Sequence, residues 1–201
     1  DVDVEFENGE FRIAGTDRGI GMFELAGQQP ERKIAIKATH TVETSSWPNG
    51  CHIAEVEVDP DTGVVEIKRY TTVDDVGYAI NQMLVEGQIE GGIVQGAGQA
   101  LHEICRYDTE SGQLITGSFM DYQMPRAADF PSFNVTIDQS VPCKTNMLGV
   151  KGCGESGTVA ATPTIINAII DALRPLGVSD IQMPATPFAV WEAIAAAKTA
   201  A

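Results

Sequence analysis

The chain reads as an α+β fold, with antiparallel sheet strands first and packed helices after. Three observations carry that reading. Residues 53–58 and 64–70 alternate apolar and polar side chains around a turn. Residues 82–104 carry an apolar stripe at helical spacing. Two Thr-Pro pairs, Thr162-Pro163 and Thr186-Pro187, each stand before an apolar helical run. The 201 residues are enough to bury a real core, and no linker or repeat interrupts them, so residues 1–201 are expected to form one unit or part of a larger one.

Each element has a local cause. Val4 to Glu7 and Glu10 to Ile13 alternate across Asn8-Gly9, a dipeptide that accepts the positive φ values of a tight hairpin turn. Thr16-Asp17 is placed to cap a short helix through about Ala26, and Ile34 to Val42 reads as a strand. Ile53 to Val58 and Val64 to Tyr70 form a second hairpin, closed by Asp59-Pro60-Asp61-Thr62-Gly63. From Gln82 to Ile104, the residues Val85, Ile89, Ile93, Ala97, Ala100, Leu101 and Ile104 recur every three or four positions. Gly87, Gly91, Gly92, Gly96 and Gly98 interrupt this helix, at roughly 0.8–1 kcal/mol each relative to alanine. Either close packing against another element or close approach of a ligand would offset that cost, and the two are compatible.

Asp108 to Gly112 reads as a turn, and Leu114 to Met120 and Phe133 to Asp138 as strands. Thr162-Pro163 provides an N-cap and a first helical residue for a helix reaching Leu173, before Pro175-Leu176-Gly177. Thr186-Pro187 opens the last helix, with Trp191 expected in the core. Cys51 and Cys105 are expected to be small buried thiols.

A formal net charge of −15 argues against nucleic-acid and anionic-membrane surfaces. No apolar run approaches the ~18 residues of a membrane span. Asp1 to Glu5 lack the basic and apolar regions of a signal peptide, so the expected location is the cytoplasm, with the periplasm left open. Cys51, Cys105, Cys143 and Cys153 are not spaced as CxxC, and His40, His52 and His102 make no HExxH, so no protein-ligated metal is expected.

The most informative stretch is Gly149 to Thr158. One carboxylate, Glu155, stands among four glycines, with Lys151 before it and Ser156 and Thr158 after it. A partly desolvated carboxylate there can act as a general base, and the surrounding amides can hold an anion that Lys151 would neutralise. The plainer alternative is an exposed loop in which Glu155 only caps or solvates. Gln88, Gln95 and Gln99 share one helix face; primary amides suit the edges of a pterin or nucleotide, or simply water. Asp74-Asp75 reads as a turn, because neighbours in a strand point to opposite faces and do not chelate together. Tyr122, Arg126 and Asp129 could line a substrate channel, but read first as an ordinary surface loop.

Four ordered motifs carry a family resemblance: Val73-Asp74-Asp75-Val76-Gly77 with Ile80-Asn81 and then Val85 to Leu101; Gly117 to Arg126; Gly149 to Thr158; and Met183-Pro184-Ala185-Thr186-Pro187. Together they resemble the C-terminal part of the molybdopterin-binding large subunit of the xanthine dehydrogenase/aldehyde oxidase family. The pattern is nearest to members of the carbon monoxide dehydrogenase and bacterial aldehyde dehydrogenase kind. Gln82 stands where proline is usual, and Phe188 where a charged residue is common.

The resemblance implies a molybdenum-dependent oxidoreductase that binds molybdopterin cytosine dinucleotide. The pterin dithiolene holds the metal, so no protein ligand is needed. Glu155 matches the glutamate beside the metal, which takes up a proton while oxygen from water passes to an aldehyde, a heterocycle or carbon monoxide. Gln88, Gln95, Gly96 and Gln99 match the cofactor-contacting helix. Lys151, Gly152, Cys153, Gly154, Ser156, Gly157 and Thr158 match the loop against the pterin and its nucleotide. The remainder of the large subunit, and partner chains carrying iron–sulfur clusters and FAD, are implied with it. The alternative is a scaffold or partner-binding domain that keeps the fold without cofactor.

Overall fold

The computed structural model describes residues 3–42 and 44–200. Asp1 and Val2 of the N-terminal reading lie outside the described residues. The chain divides into two compact units, Asp1–Thr41 and Val42–Ala201, at a point where the sequence carries no linker signature.

The first unit is a three-stranded antiparallel sheet, β1 (Val4–Glu7), β2 (Glu10–Ile13) and β3 (Gly19–Gly21), followed by a short helix α1 (Met22–Gly27). The Asn8-Gly9 hairpin forms as expected, with φ of 51° and 85° at the two turn positions. The helix begins later than Thr16-Asp17. Thr16 instead closes a turn, donating to the Ile13 carbonyl (2.9 Å) and accepting from the Arg18 amide (3.2 Å), and β3 takes the residues that follow. Ile34 to Val42 is not a strand: the segment has no ladder partner among the described residues, and Ile36 is 86% exposed, so β-propensity there has no sheet to join.

The second unit is built on β4 (Asn49–Val58) and β5 (Val65–Asp75), longer than their most obvious alternating cores. They pair antiparallel from Asn49↔Asp75 to Val58↔Val65, with a bulge at Glu55/Val56. Gly63 has φ +73° and lies so close to the Pro187 carbonyl that a side chain would collide with it. The expected antiparallel hairpin forms, and a third strand adds to it. β6 (Asn134–Asp138) joins β5 in parallel, Thr71↔Asn134 to Asp75↔Asp138. A parallel neighbour needs a long crossover, which the helix α2 (Gln82–Leu101) and residues 102–133 supply. Leu114 to Met120 contributes only a bridge, Tyr107↔Leu114, and is otherwise irregular. The Asp108–Gly112 turn holds: Asp108 Oδ1 accepts from the Glu110 and Ser111 amides, and Gly112 takes φ +70°.

α2 starts at Asn81, whose Oδ1 accepts from the Leu84 amide (3.1 Å). The helix α3 (Ser156–Leu173) starts six residues before Thr162, the expected cap. Thr162 sits inside it and donates Oγ1 to the Gly96 carbonyl (3.1 Å), and Pro163 is tolerated in the helix interior. The last helix, α4 (Pro187–Ala200), opens as expected, with Thr186 Oγ1 accepting from the Ala189 amide (3.3 Å).

The core lies between the sheet and these helices. α2 contributes Ile89, Ile93, Ala97, Ala100 and Leu101, and α3 contributes Ala161, Ile165, Ile169 and Leu173. Ile67, Tyr70, Val178, Ile181, Ala185, Val190 and Ile194 complete it. Two core expectations fail. Cys51 and Cys105 are exposed, Cys51 because it points to the outer face of β4. Trp191 is 44% exposed and stacks on Phe188, 6.3 Å between ring centres, so the unusual Phe188 finds its partner on the surface.

Candidate functional site

The glycines of α2 divide into two kinds. Gly92 and Gly96 face α3: a Cβ at Gly96 would come within 2.8 Å of Ala161 Cβ and 2.9 Å of the Thr158 carbonyl oxygen, and one at Gly92 within 2.9 Å of the Thr158 amide. Gly157, on α3, lies against the Ile89 carbonyl with no room for a side chain. Close helix–helix contact therefore accounts for the glycines at 92, 96 and 157. Gly98 is closed by Glu103 and Pro125. Gly87 and Gly91 meet nothing within 4 Å and line an open groove of about 440 Å³ with Glu90, Val94, Phe130 and Phe133.

This crossing carries the Gly-Gln stripe of α2 to the glycine-rich loop. Gln88, Gln95 and Gln99 are all exposed on one side of α2, and Gln88 Nε2 donates to the Gly154 carbonyl (3.3 Å). Gly152 and Gly154 are exposed, and a Cβ at Gly154 would meet nothing. Cys153 is half-buried, and its carbonyl accepts from Ser156 Oγ (3.2 Å) and more weakly from the Ser156 amide. Thr158 Oγ1 is buried and has no hydrogen-bond partner.

Glu155 is the N-cap residue of α3 and makes no side-chain cap bond. A carboxylate in that position ordinarily accepts from first-turn amides; here it is exposed and makes no such bond. Glu155 lines a cavity of about 360 Å³ with Trp47, Pro48, Asn49, Gly50, Asp74, Ser156, Val159 and Ala160. Its walls are largely apolar, with carboxylates from Asp74 and Glu155.

The Asp74-Asp75 pair is not a turn, as expected from sequence, but the last two residues of β5. They point to opposite faces, as strand geometry requires. Asp74 is 1% exposed. It accepts from Thr72 Oγ1 and lies 3.3 Å from His52 Nε2, while His52 Nδ1 is 2.8 Å from the Tyr70 hydroxyl. Burial pushes the Tyr70 hydroxyl up, and the nearby Asp74 adds to this against a hydrogen bond with Thr164.

On the other face, Asp75 Oδ2 accepts from Lys151 Nζ at 2.5 Å, and its Oδ1 accepts from the Gly77 amide at 2.9 Å. Burial and the neighbouring Asp138 would raise the Asp75 carboxyl. The Lys151 ammonium and the Gly77 amide outweigh them and hold it below the usual carboxylate range. Lys151, expected to meet a phosphate, is thus engaged with Asp75.

Sequence reasoning missed the roles of Asp74, Asp75, Trp47 and Pro48. The opposite-face rule for Asp74-Asp75, followed through to a strand end, would have found the first two. Trp47 and Pro48 reach the cavity only through the tertiary fold. Tyr122, Arg126 and Asp129 lie on a surface segment: Tyr122 donates to Glu103 (2.5 Å), Asp129 accepts from the Arg126 amide (2.7 Å), and Phe119, Met120 and residues 122–126 line an open cleft of about 390 Å³.

The donors here are amides, hydroxyls and primary amides. They include a buried hydroxyl without a partner, and glycine backbone borders open space. This set fits the phosphates and pterin edges of a molybdopterin. No helix among the described residues is long and apolar enough to cross a membrane.

Comparison with known proteins agrees with that fit. Residues 1–131 match the family described as "Molybdopterin cofactor-binding domain". The nicotine 6-hydroxylase large subunit of Paenarthrobacter nicotinovorans is 44% identical over 181 residues, covering 89% of this chain and 22% of that protein. Reconstituted CO dehydrogenase from Oligotropha carboxidovorans superposes with a TM-score of 0.86 at 29% identity, over 100% of this chain and 26% of that one. Quinoline 2-oxidoreductase from Pseudomonas putida 86 gives a TM-score of 0.82 at 34% identity, over 96% and 26%. The chain spans about a quarter of the length of the curated relatives it matches. With its fold and most of its sequence in agreement, the chain belongs to the molybdopterin cofactor-binding domain family of the xanthine dehydrogenase and aldehyde oxidase proteins.

Proposed function

We propose that this chain is the C-terminal cofactor-binding part of a molybdenum hydroxylase large subunit, with Glu155 as the general base. One observation supports it above the others: Glu155 stands at the start of an 18-residue helix without capping that helix, and faces a largely apolar cavity. A carboxylate kept out of its ordinary structural role is free to take up a proton on its own oxygen.

The bound molybdopterin cytosine dinucleotide supplies a metal that accepts an electron pair and the site from which a water-derived oxygen is transferred. The chain's own residues do the rest. The α3 first-turn amides, Ser156 and Thr158 hold the anionic part of the cofactor. Gln88, Gln95 and Gln99 border it on α2, and Gly152, Cys153 and Gly154 let it approach the backbone. The largely apolar walls flank Glu155 on one side, and the remainder of the large subunit would exclude water from the other. The substrate is an aldehyde, a nitrogen heterocycle or carbon monoxide. Similarity to nicotine 6-hydroxylase, and walls in which the described lining residues carry no basic side chain, favour an uncharged or cationic heterocycle. The remainder of the large subunit, with iron–sulfur and flavin chains that carry the electrons away, completes the enzyme.

The test is made on the full-length subunit produced with its partner chains. Metal analysis should find molybdenum, and acid release should yield cytidine monophosphate. Glu155→Gln should abolish turnover with molybdenum content near normal. Loss of metal in that variant would make Glu155 structural, and absence of both metal and nucleotide from the wild type would leave a scaffold.

A further inference from the structure

The Lys151–Asp75 pair differs from the exposed ion pairs of this chain. Its side chains are 10% and 17% exposed, whereas the lysine and arginine pairs on the sheet and helix surfaces are 46% exposed or more. Two charges withdrawn from water must meet in good geometry to be tolerated. Here they do, in a contact that joins the end of β5 to the stem of the glycine-rich loop.

Other contacts tie the same stem. The Lys151 amide donates to the Val76 carbonyl (2.8 Å), and the Tyr78 amide to the Gly149 carbonyl (2.9 Å). Gly77 takes φ +66° and passes so close to the Gly149 carbonyl that no side chain fits. Downstream only longer contacts hold the backbone, Gln88 Nε2 to the Gly154 carbonyl (3.3 Å) and Ser156 Oγ to the Cys153 carbonyl (3.2 Å), and Gly152 and Gly154 have almost free space where a side chain would stand. Glu155 therefore hangs between two fixed points, Lys151 behind it and the first turn of α3 ahead.

We infer that Asp75, acting through Lys151, is a positioning residue that fixes the stem of the glycine-rich loop and thereby the place of the Glu155 carboxylate. The inference rests on the reading of Glu155 as the base, and it gives Lys151 a partner within the protein instead of a phosphate.

The test uses the full-length subunit with its partner chains, in the variants Asp75→Asn, Lys151→Met and the double variant, with Asp75→Glu and Lys151→Arg as conservative rescues. A misplacement of about 1 Å costs on the order of 10²-fold in rate. Each single variant should lose about that much in kcat, with KM and molybdenum content little changed. The double variant should lose no more than the worse single one, because the two groups act as a unit. The rescues should recover most of the loss. Cys153, half-buried between Lys151 and Glu155, gives a second readout. In cofactor-free subunit, its alkylation rate, read by peptide mapping, should rise several-fold in both single variants.

Unchanged Cys153 reactivity in both variants overturns the inference. So does loss of molybdenum or nucleotide in Lys151→Met but not in Asp75→Asn, which would assign Lys151 to the cofactor directly. Should Asp75→Asn fail to assemble, Lys151→Met carries the same reading through Cys153. If Glu155→Gln retains turnover, the base assignment fails by itself, and Cys153 reactivity still decides whether the loop stem is latched.

Discussion

Gly63 shows how one residue is fixed from two directions. Its φ of +73° is a conformation that costs a side-chain-bearing residue about 1–2 kcal/mol. Its α-carbon also lies against the Pro187 carbonyl at the start of α4. Gly63→Ala should therefore destabilise by more than the backbone cost alone, and lower Tm by well over the ~2–4 °C that accompanies each kcal/mol in a chain of this size. Asp75 makes a prediction in pH. Its folded-state pKa lies below the unfolded value near ~3.9. Its contribution is present above pH ~4 and is lost as pH falls through the folded pKa. The stability gap between wild type and Asp75→Asn should be constant from pH 7 to 5 and shrink below about 4, which thermal melts over that range would read. The first of these residues was legible in sequence, because Asp-Pro-Asp-Thr-Gly names its own turn. The second was not, because a strand-ending aspartate looks the same whether it meets water or a lysine 76 positions away.

At the scale of elements, the glycine-bearing helix was legible and its purpose was not. Periodicity placed α2 to within three residues, and Ile89, Ile93, Ala97 and Ala100 are fully buried as their spacing requires. Composition alone cannot say which glycines meet a second helix, since that depends on where α3 lies. Thr162-Pro163 misled for a related reason: the pair is a good helix start locally, but Gly157 and Ala161 pack on α2 and extend α3 upstream. The two kinds of glycine separate by substitution. Gly96→Ala overpacks the crossing and should destabilise by about 1–3 kcal/mol. Gly91→Ala, in open space on the same helix, should stabilise by about 0.5–1 kcal/mol. Chemical denaturation of both variants checks the pair. Equal effects at the two positions would remove the distinction between packed and open faces.

For the whole molecule, what remains uncovered matters as much as what is buried. Ile80, Met83 and Leu84 around the start of α2 are 67%, 73% and 65% exposed, and Met147, Leu148 and Val159, flanking the glycine-rich loop and on α3, are 88%, 63% and 68% exposed. Large apolar side chains in such number around one site mark a surface that another body covers. The chain spans about a quarter of its relatives, and the remainder of the large subunit is the proposed cover. The parallel placement of β6, invisible to a pattern-based reading, brings Asp138 beside Asp75. The Glu155 cavity is open, and its described walls come from residues 47–50, Asp74 and the start of α3. A cofactor seated there would touch protein on one side and water on the other, and every contact would act in high dielectric. The chain produced by itself should therefore carry far less than one molybdenum atom per molecule. The full-length subunit, produced in the same host with its partners, should approach one. Metal analysis of both preparations decides it: stoichiometric molybdenum in the separate chain would mean that these residues form a complete cofactor site and that the exposed apolar face serves some other contact.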